Sequence, residues 1–196
     1  NYIKSANPKI IITFIDNNPS FYYLKKKFPK IKTISIQNGN RTKEDFYELK
    51  KYKNLEADYF FVFSKPVAKK YKSYIRSKYI ISGSTKCNYF KKSKLKKINE
   101  ILYISQHNKD NTLPLNEEKI VHLLKKIKKK YKINFKISLK KNIEKYFMEK
   151  FPDLKKNTFL KSVNTFSSYR YIQKYKLVVF INSTLGYEAL GMGISA

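Results

Sequence analysis

The chain has 196 residues, with a formal net charge of +29 and a sequence pI near 10.0. That length supports one or two small domains with a real core. A single cysteine, Cys87, excludes an internal disulfide and fits a reducing compartment. No apolar run is long enough to cross a bilayer, and no signal peptide is visible.

So large a positive charge attracts polyanions. The lysines, however, are spread along the whole chain with no arginine-rich tail, and the wealth of Lys, Asn, Ile, Tyr and Phe matches AT-rich codon usage. Anionic lipid and nucleotide phosphate are therefore partners to set beside nucleic acid. Lysine far outnumbers arginine, which suits diffuse attraction better than bidentate recognition. The chain has no initiator Met and stops just after a predicted helix, so a fragment truncated at both ends is expected.

In chain order, residues 9–15 form a continuous apolar run that predicts a buried strand, ending at Asp16, Asn17, Asn18 and Pro19. An acidic residue at the carboxyl end of a parallel strand lies where such sheets place ligands. Asp16 is thus a candidate general base or substrate anchor, and equally a candidate N-cap for the helix predicted over 20–28. A second strand is expected over 31–36. It leads into the polar turn Gln37, Asn38, Gly39, Asn40 and Arg41, in which two amides and a forked cation could contact a phosphate or carboxylate. A plain turn explains the same residues.

Further elements alternate: a helix or a mobile cleft loop over 42–55, a strand over 58–63, a helix over 67–75 behind Pro66, and a strand over 78–81. The lysine-rich stretch 86–97 reads as a linker, giving an amino-terminal half over 1–90 and a carboxyl-terminal half over 98–196. The second half restarts with a strand over 101–104 and the polar end Ser105, Gln106, His107 and Asn108. A helix follows over 116–131, then a strand over 133–139 with Lys140 and Lys141 behind it. A short helix precedes Pro152, 157–163 is ambiguous with an edge strand as one reading, and a short helix covers 167–172.

Residues 177–181 read as a strand buried on both faces. Asn182, Ser183 and Thr184 then supply N-cap chemistry for a helix closed by Gly191 and Gly193. A helix start at the carboxyl edge of a parallel sheet favours an anion. Ser183 and Thr184 add hydroxyls there, Gly186 permits close approach, and Glu188 could accept from a sugar or ribose hydroxyl. Most helix caps do nothing beyond capping, and that reading stands beside the functional one.

The segment 181–193, with its Ser-Thr-Leu-Gly-Tyr-Glu-Ala-Leu core, resembles a motif of a bacterial surface-carbohydrate biosynthesis family. These are GT-B-type, glycosyltransferase-like proteins, distant kin of Kdo, polysialic acid and CDP-glycerol transferases. Asp16, Asn17, Asn18 and Phe21, followed by Ile36 to Arg41, give a second match in the right order. The resemblance implies two Rossmann-like parallel-sheet halves facing a cleft. A nucleotide-activated sugar would sit on the carboxyl-terminal half, its phosphates at Ser183 and Thr184, with Gly186, Glu188, Ser105 and Lys140 around it. The glycan or lipid-linked acceptor would enter by Gln37, Asn38, Gly39 and Arg41, with Asp16 as general base. Asn38-Gly39 stands where related transferases carry His-Gly, which removes a histidine base at that position.

Phosphate-loop, Gly-x-Gly-x-x-Gly, zinc-cluster, Asp-x-Asp and Gly-x-Ser-x-Gly motifs are all absent. The expectation is a metal-independent sugar transferase without a cofactor, cytoplasmic or at the inner membrane face. A nucleotide-sugar epimerase or hydrolase and a basic nucleic-acid-binding module are the alternatives, nucleic acid being the weaker.

Overall fold

The computed structural model describes residues 2–90, 97–105, 115–139, 143–160 and 165–195. The chain divides into two units, Asn1–Asn88 and Tyr89–Ala196. Each is α/β and is built on its own parallel four-stranded sheet, so the chain consists of two Rossmann-like halves. Among the described residues no helix is long and apolar enough to cross a membrane.

Unit 1 runs α1 (Tyr2–Ala6), β1 (Ile10–Thr13), α2 (Pro19–Tyr22), α3 (Leu24–Lys27), β2 (Lys32–Ile36), α4 (Lys43–Leu49), β3 (Leu55–Val62), α5 (Lys65–Lys72), β4 (Ile75–Ile81) and α6 (Thr85–Tyr89). The helix expected over 20–28 is broken at Tyr23. Its cap is Asn18, whose side chain accepts from the Ser20 N–H at 3.0 Å, with Pro19 at the first helical position. Capping by Asn18 leaves Asp16 available for another task.

The strands lie in simple sequence order, β1-β2-β3-β4. Right-handed crossovers between successive neighbours put every connecting helix on the same face. That face holds the core, in which Phe21, Tyr22, Phe46, Leu49, Ala68 and Tyr71 pack on Leu55, Ala57, Phe60 and Val62. The sheet's second face carries in-register rows, Ile12 beside Ile34 and Tyr59, and Ile36 beside Phe61 and Ile80. This corrects the expectation that 9–15 is a buried strand. β1 is an edge strand, and Ile10 and Ile12 are 52% and 56% exposed. Its composition suits a central strand, but one-sided winding leaves its outer face without a helix.

β3 begins at Leu55, earlier than its apolar run suggests, because Asn54 in a left-handed conformation (φ 58°) turns the chain directly into it. One extra residue between Glu56 and Tyr59 shifts its register against β4. The bulge moves the inward positions from Leu55 and Ala57 to Phe60 and Val62. It also frees Asp58, whose carboxylate accepts from the Thr33 N–H at 2.8 Å and pairs with Lys25 at 2.9 Å.

Unit 2 runs β5 (Ile98–Ile104), α7 (Leu115–Tyr131), β6 (Phe135–Leu139), α8 (Glu144–Lys150), a 3-10 turn (Pro152–Asn157), β7 (Thr158–Leu160), α9 (Thr165–Ile172), β8 (Tyr175–Val179) and α10 (Thr184–Gly191). The order is β7-β6-β5-β8, so the ambiguous stretch 157–163 supplies the edge strand β7. β8, expected to be buried on both faces, is also outermost among the named strands, and Leu177 is 36% exposed. After α10 the chain returns alongside it: Ser195 bridges Leu177 in parallel, and its carbonyl accepts from the Val178 N–H at 2.8 Å. The core of unit 2 gathers Tyr103, Val121, Leu124, Phe135, Ile137, Phe147 and Phe151.

Burial opposes the charge on Asp58, but the Thr33 N–H and the Lys25 ammonium outweigh it and hold the carboxyl down at about 2. A folded-state value below the unfolded one stabilises at pH above about 4 and loses that contribution as pH falls toward the folded value. Asp58→Asn should therefore cost about 1–2 kcal/mol near neutrality, the figure being discounted for solvent around the lysines. Urea titrations of the variant should also show a flatter acid limb than the parent between pH about 4 and about 2.

Candidate functional site

At the carboxyl edge of the unit 1 sheet, Asp16 is fully buried and forms the hub of a network. Its Oδ1 accepts from the Asn38 N–H at 3.0 Å and from Arg41 Nη2. Its Oδ2 accepts from Arg41 Nε at 3.0 Å and from the Tyr71 hydroxyl at 2.8 Å. Tyr71 in turn accepts from Arg41 Nε at 3.2 Å. The Asp16 carbonyl accepts from the Tyr22 hydroxyl at 2.6 Å, and that hydroxyl lies 3.0 Å from Ser35 Oγ. The ends of β1 and β2, the entry to α4, and one side chain each from α2 and α5 thus converge on Asp16, the α2 hydroxyl on its carbonyl and the others on its carboxylate.

Burial works against the Arg41 charge, but the hydrogen bonds and charge of Asp16 prevail and lift its pKa above the usual guanidinium value. Burial, then the neighbouring Asp16 charge, raises Tyr71 and keeps it a neutral donor. Gln37 is equally committed: its Nε2 donates to the Gly39 carbonyl at 2.8 Å and its Oε1 accepts from the Phe63 N–H at 2.8 Å. Asn38 remains exposed, its carbonyl accepting from Lys86 at 3.3 Å.

In unit 2 the strand order sets the second location. From β5 the chain steps through β6 to β7 on one side, and β8 then pairs with the other side of β5. The reversal between β5 and β8 is a topological switch point, where open α/β sheets bind ligands. Ser105 follows β5, and the turn from Phe180 to Ser183 follows β8. Ser183 is the N-cap of α10, with extended backbone (φ −105°, ψ 128°), and its side chain makes no cap hydrogen bond. The first turn of α10 holds no acidic residue, so its dipole meets no charge from its own sequence. Ser183 and Thr184 are half-buried and Asn182 is exposed.

The neighbours of that helix start face inward. Gly186 is buried, and a Cβ built on it would lie 2.2 Å from the Phe180 ring. Glu188 is 3% exposed and accepts from the Tyr169 hydroxyl at 2.5 Å. The Tyr169 ring stacks on Phe90 with centroids 5.1 Å apart. Ser105 is fully buried and donates to Glu117 Oε2 at 2.8 Å, tying the end of β5 to the first turn of α7. The Tyr103 hydroxyl is raised by burial first and by the nearby Glu117 carboxylate second. Among the described residues no three His, Cys, Asp or Glu side chains converge as a metal cage.

The family model described as "putative O-antigen biosynthesis protein" matches residues 34–122 and 115–196. The chain belongs to this O-antigen biosynthesis family. The crystal structure of TarM is similar in fold over 99% of this chain, with a TM-score of 0.55 and 17% identity. The chain spans 41% of the length of the TarM chain. No curated protein sequence matches.

For this family member the structure gathers Asp16, Gln37, Asn38, Gly39 and Arg41 at one sheet edge, and Ser105, Ser183 and Thr184 at the other unit's switch point. Lys140 and His107 lie outside the described residues. Several expected roles change. Asp16 is neither an N-cap nor an open base, because both its oxygens are occupied by four donors. Gly186 makes room for Phe180 rather than for a ligand, and Glu188 braces α10 through Tyr169. Tyr22, Tyr71, Glu117 and Tyr169 were not legible as site residues, since each reaches its partner across a fold contact that no local pattern encodes.

Asp16→Asn should leave a guanidinium that is only 12% exposed without its carboxylate, costing about 3–5 kcal/mol in urea unfolding, against about 1–2 kcal/mol for Tyr71→Phe. Gly186→Ala should cost about 1–3 kcal/mol by driving a methyl group into the Phe180 ring. Combining it with Phe180→Ala should make the pair non-additive, because the second substitution empties that space.

Proposed function

We propose that the chain transfers a sugar from a nucleotide-activated donor to a glycan or lipid-linked acceptor during surface-polysaccharide or lipopolysaccharide synthesis. The observation that carries the reading is the start of α10. It is a helix N-terminus at a topological switch point, with a hydroxyl that does not cap it and no acidic side chain in its first turn. In this reading the diphosphate of the donor rests on the first-turn N–H groups and on Ser183 and Thr184. As the sugar–phosphate bond breaks, the same dipole stabilises the charge gathering on the departing nucleotide. Lys140, the residue after β6 in sequence, supplies a further cation in this reading. Family membership and the likeness to the glycosyltransferase TarM support the class of reaction.

Unit 1 takes the acceptor in this proposal. Asp16 is its positioning residue: it fixes Arg41 and the Asn38 backbone, so that the remaining guanidinium donors and the exposed Asn38 amide present a preset polar edge. Glu188 and Gly186 hold the shape of the donor helix. The charge of +29 suits work beside an anionic lipid surface at the inner face of the membrane.

Calorimetric titration with UDP-, CDP-, GDP- and CMP-linked sugars tests the donor site. One of these should bind, and the Ser183→Ala/Thr184→Ala double variant should bind it at least about tenfold more weakly with an unchanged unfolding midpoint. Equal affinity in the double variant overturns the donor site. Consumption of donor with no acceptor present marks an epimerase or hydrolase instead.

A further inference from the structure

A groove of about 260 Å3 lies in unit 1 between α4 and the end of α5. Its floor is aromatic. Phe46 stacks on Tyr74 with centroids 5.9 Å apart and meets Tyr71 edge-on at 5.0 Å. Its rim is cationic: Lys43 and Lys50 come from α4 and Lys70 from α5. The Lys50 ammonium sits 4.6 Å above the Tyr47 ring, and Lys70 sits 5.7 Å from the Phe46 centroid. Tyr47 is 59% exposed.

The helix sorts its charges to make this surface. Positions 43, 46, 47 and 50 share one face of α4. The three acids of α4 are turned to other tasks, Glu44 bonding with the Thr42 side chain, Glu48 pairing with Lys51 at 2.7 Å and Asp45 accepting from the Thr42 N–H at 2.8 Å. Among the described residues no carboxylate lines the groove. Lys43 stands in the first turn, where the helix dipole disfavours a cation, so local helix stability does not explain it.

An exposed ring flanked by ammonium groups suits a ligand with an apolar C–H face and a negative charge on its edge. We infer that this groove binds an anionic sugar unit, a uronate within an acidic glycan, as an accessory docking point for the acceptor. This rests on the reading of unit 1 as the acceptor side. Tyr71 joins the groove to the acceptor edge, since it meets Phe46 on one side and donates to Asp16 on the other. A second basic hollow of about 610 Å3 near the end of α7 carries Lys128, Lys129 and Lys132 beside the Lys125–Asp153 ion pair, but there Phe135 is buried and offers no open ring. It serves as the control for bare charge.

The full chain is titrated at physiological ionic strength with a galacturonate hexamer and with a neutral glucose hexamer. The acidic hexamer should bind at least about tenfold more tightly than the neutral one. Tyr47→Ala and Lys50→Gln/Lys70→Gln should each weaken it about tenfold, whereas Lys128→Gln/Lys129→Gln, which removes the same charge, should weaken it less than about threefold. Equal losses in the two lysine pairs, equal affinity for the neutral hexamer, or equally tight duplex DNA binding through the same three residues would each overturn the groove. Normal hexamer binding in a chain that binds no nucleotide sugar overturns the transfer reaction and leaves the groove standing.

Discussion

The pairing of Asp16 with Arg41 is the constraint on which unit 1 depends. A carboxylate and a guanidinium withdrawn from water are each costly, and each is tolerable only because the other is held against it with its remaining hydrogen bonds satisfied. Asp16 meets that condition by accepting four bonds from three different segments, while its own carbonyl accepts a fifth from Tyr22. The loop after β2 therefore has one place to sit. Gln37 strengthens the same constraint by spanning from Gly39 to Phe63, so that the turn is fixed at both its base and its tip. The polar edge is rigid because its backbone is bonded into a buried network, even though it is a loop.

Unit 2 reaches a defined edge by different means. There the position of α10 is set by packing: the Phe180 ring lies against Gly186, and Glu188 holds the Tyr169 hydroxyl from inside the helix layer. The helix start is thereby held close to the end of β8, beside the switch point. Ser105 and Glu117 do the corresponding task for the β5 side, joining strand end to helix start through a buried hydrogen bond. In both units residues that hold the edge in shape, Asp16, Gln37, Gly186 and Glu188 among them, are buried, whereas Asn38 is exposed and Ser183 and Thr184 are half-buried.

That division explains what was legible in the sequence. Apolar runs, Pro19, Pro66 and the glycines near the end are local signals, and they located the alternating elements, the parallel sheets and the start of α10. The same signals also named the stretches that form both edges, Asp16 with 37–41 and Ser183 with Thr184. What they could not show is direction. An acidic residue at a strand end reads alike whether it faces solvent or an arginine, and the contacts that enclose Asp16, with Arg41 and with Tyr71 from α5, span 25 and 55 residues of sequence. Glu188 looked like a ligand because it is polar on an apolar helix, yet the polar partner it needs is a tyrosine 19 residues away in sequence. β1 misled for the opposite reason: its residues suit a strand covered on both faces, and the sequential strand order that leaves one face open is a property of the whole unit.

The three arginines of the chain sharpen the same point. Lysine supplies nearly all the positive charge, and most of it stands in solvent, where a mobile ammonium contributes a diffuse field. Arg76 forks onto Glu56 at an exposed site, and Arg170 is exposed. Arg41 is the least exposed of the three, and it uses Nε and Nη2 together against Asp16, a geometry an ammonium cannot reproduce. In a composition that writes lysine almost everywhere, an arginine at this position is explained by the fork it needs rather than by the charge it carries. A long-range field draws anions from any direction, whereas a cation whose plane is locked by a buried carboxylate keeps one fixed orientation.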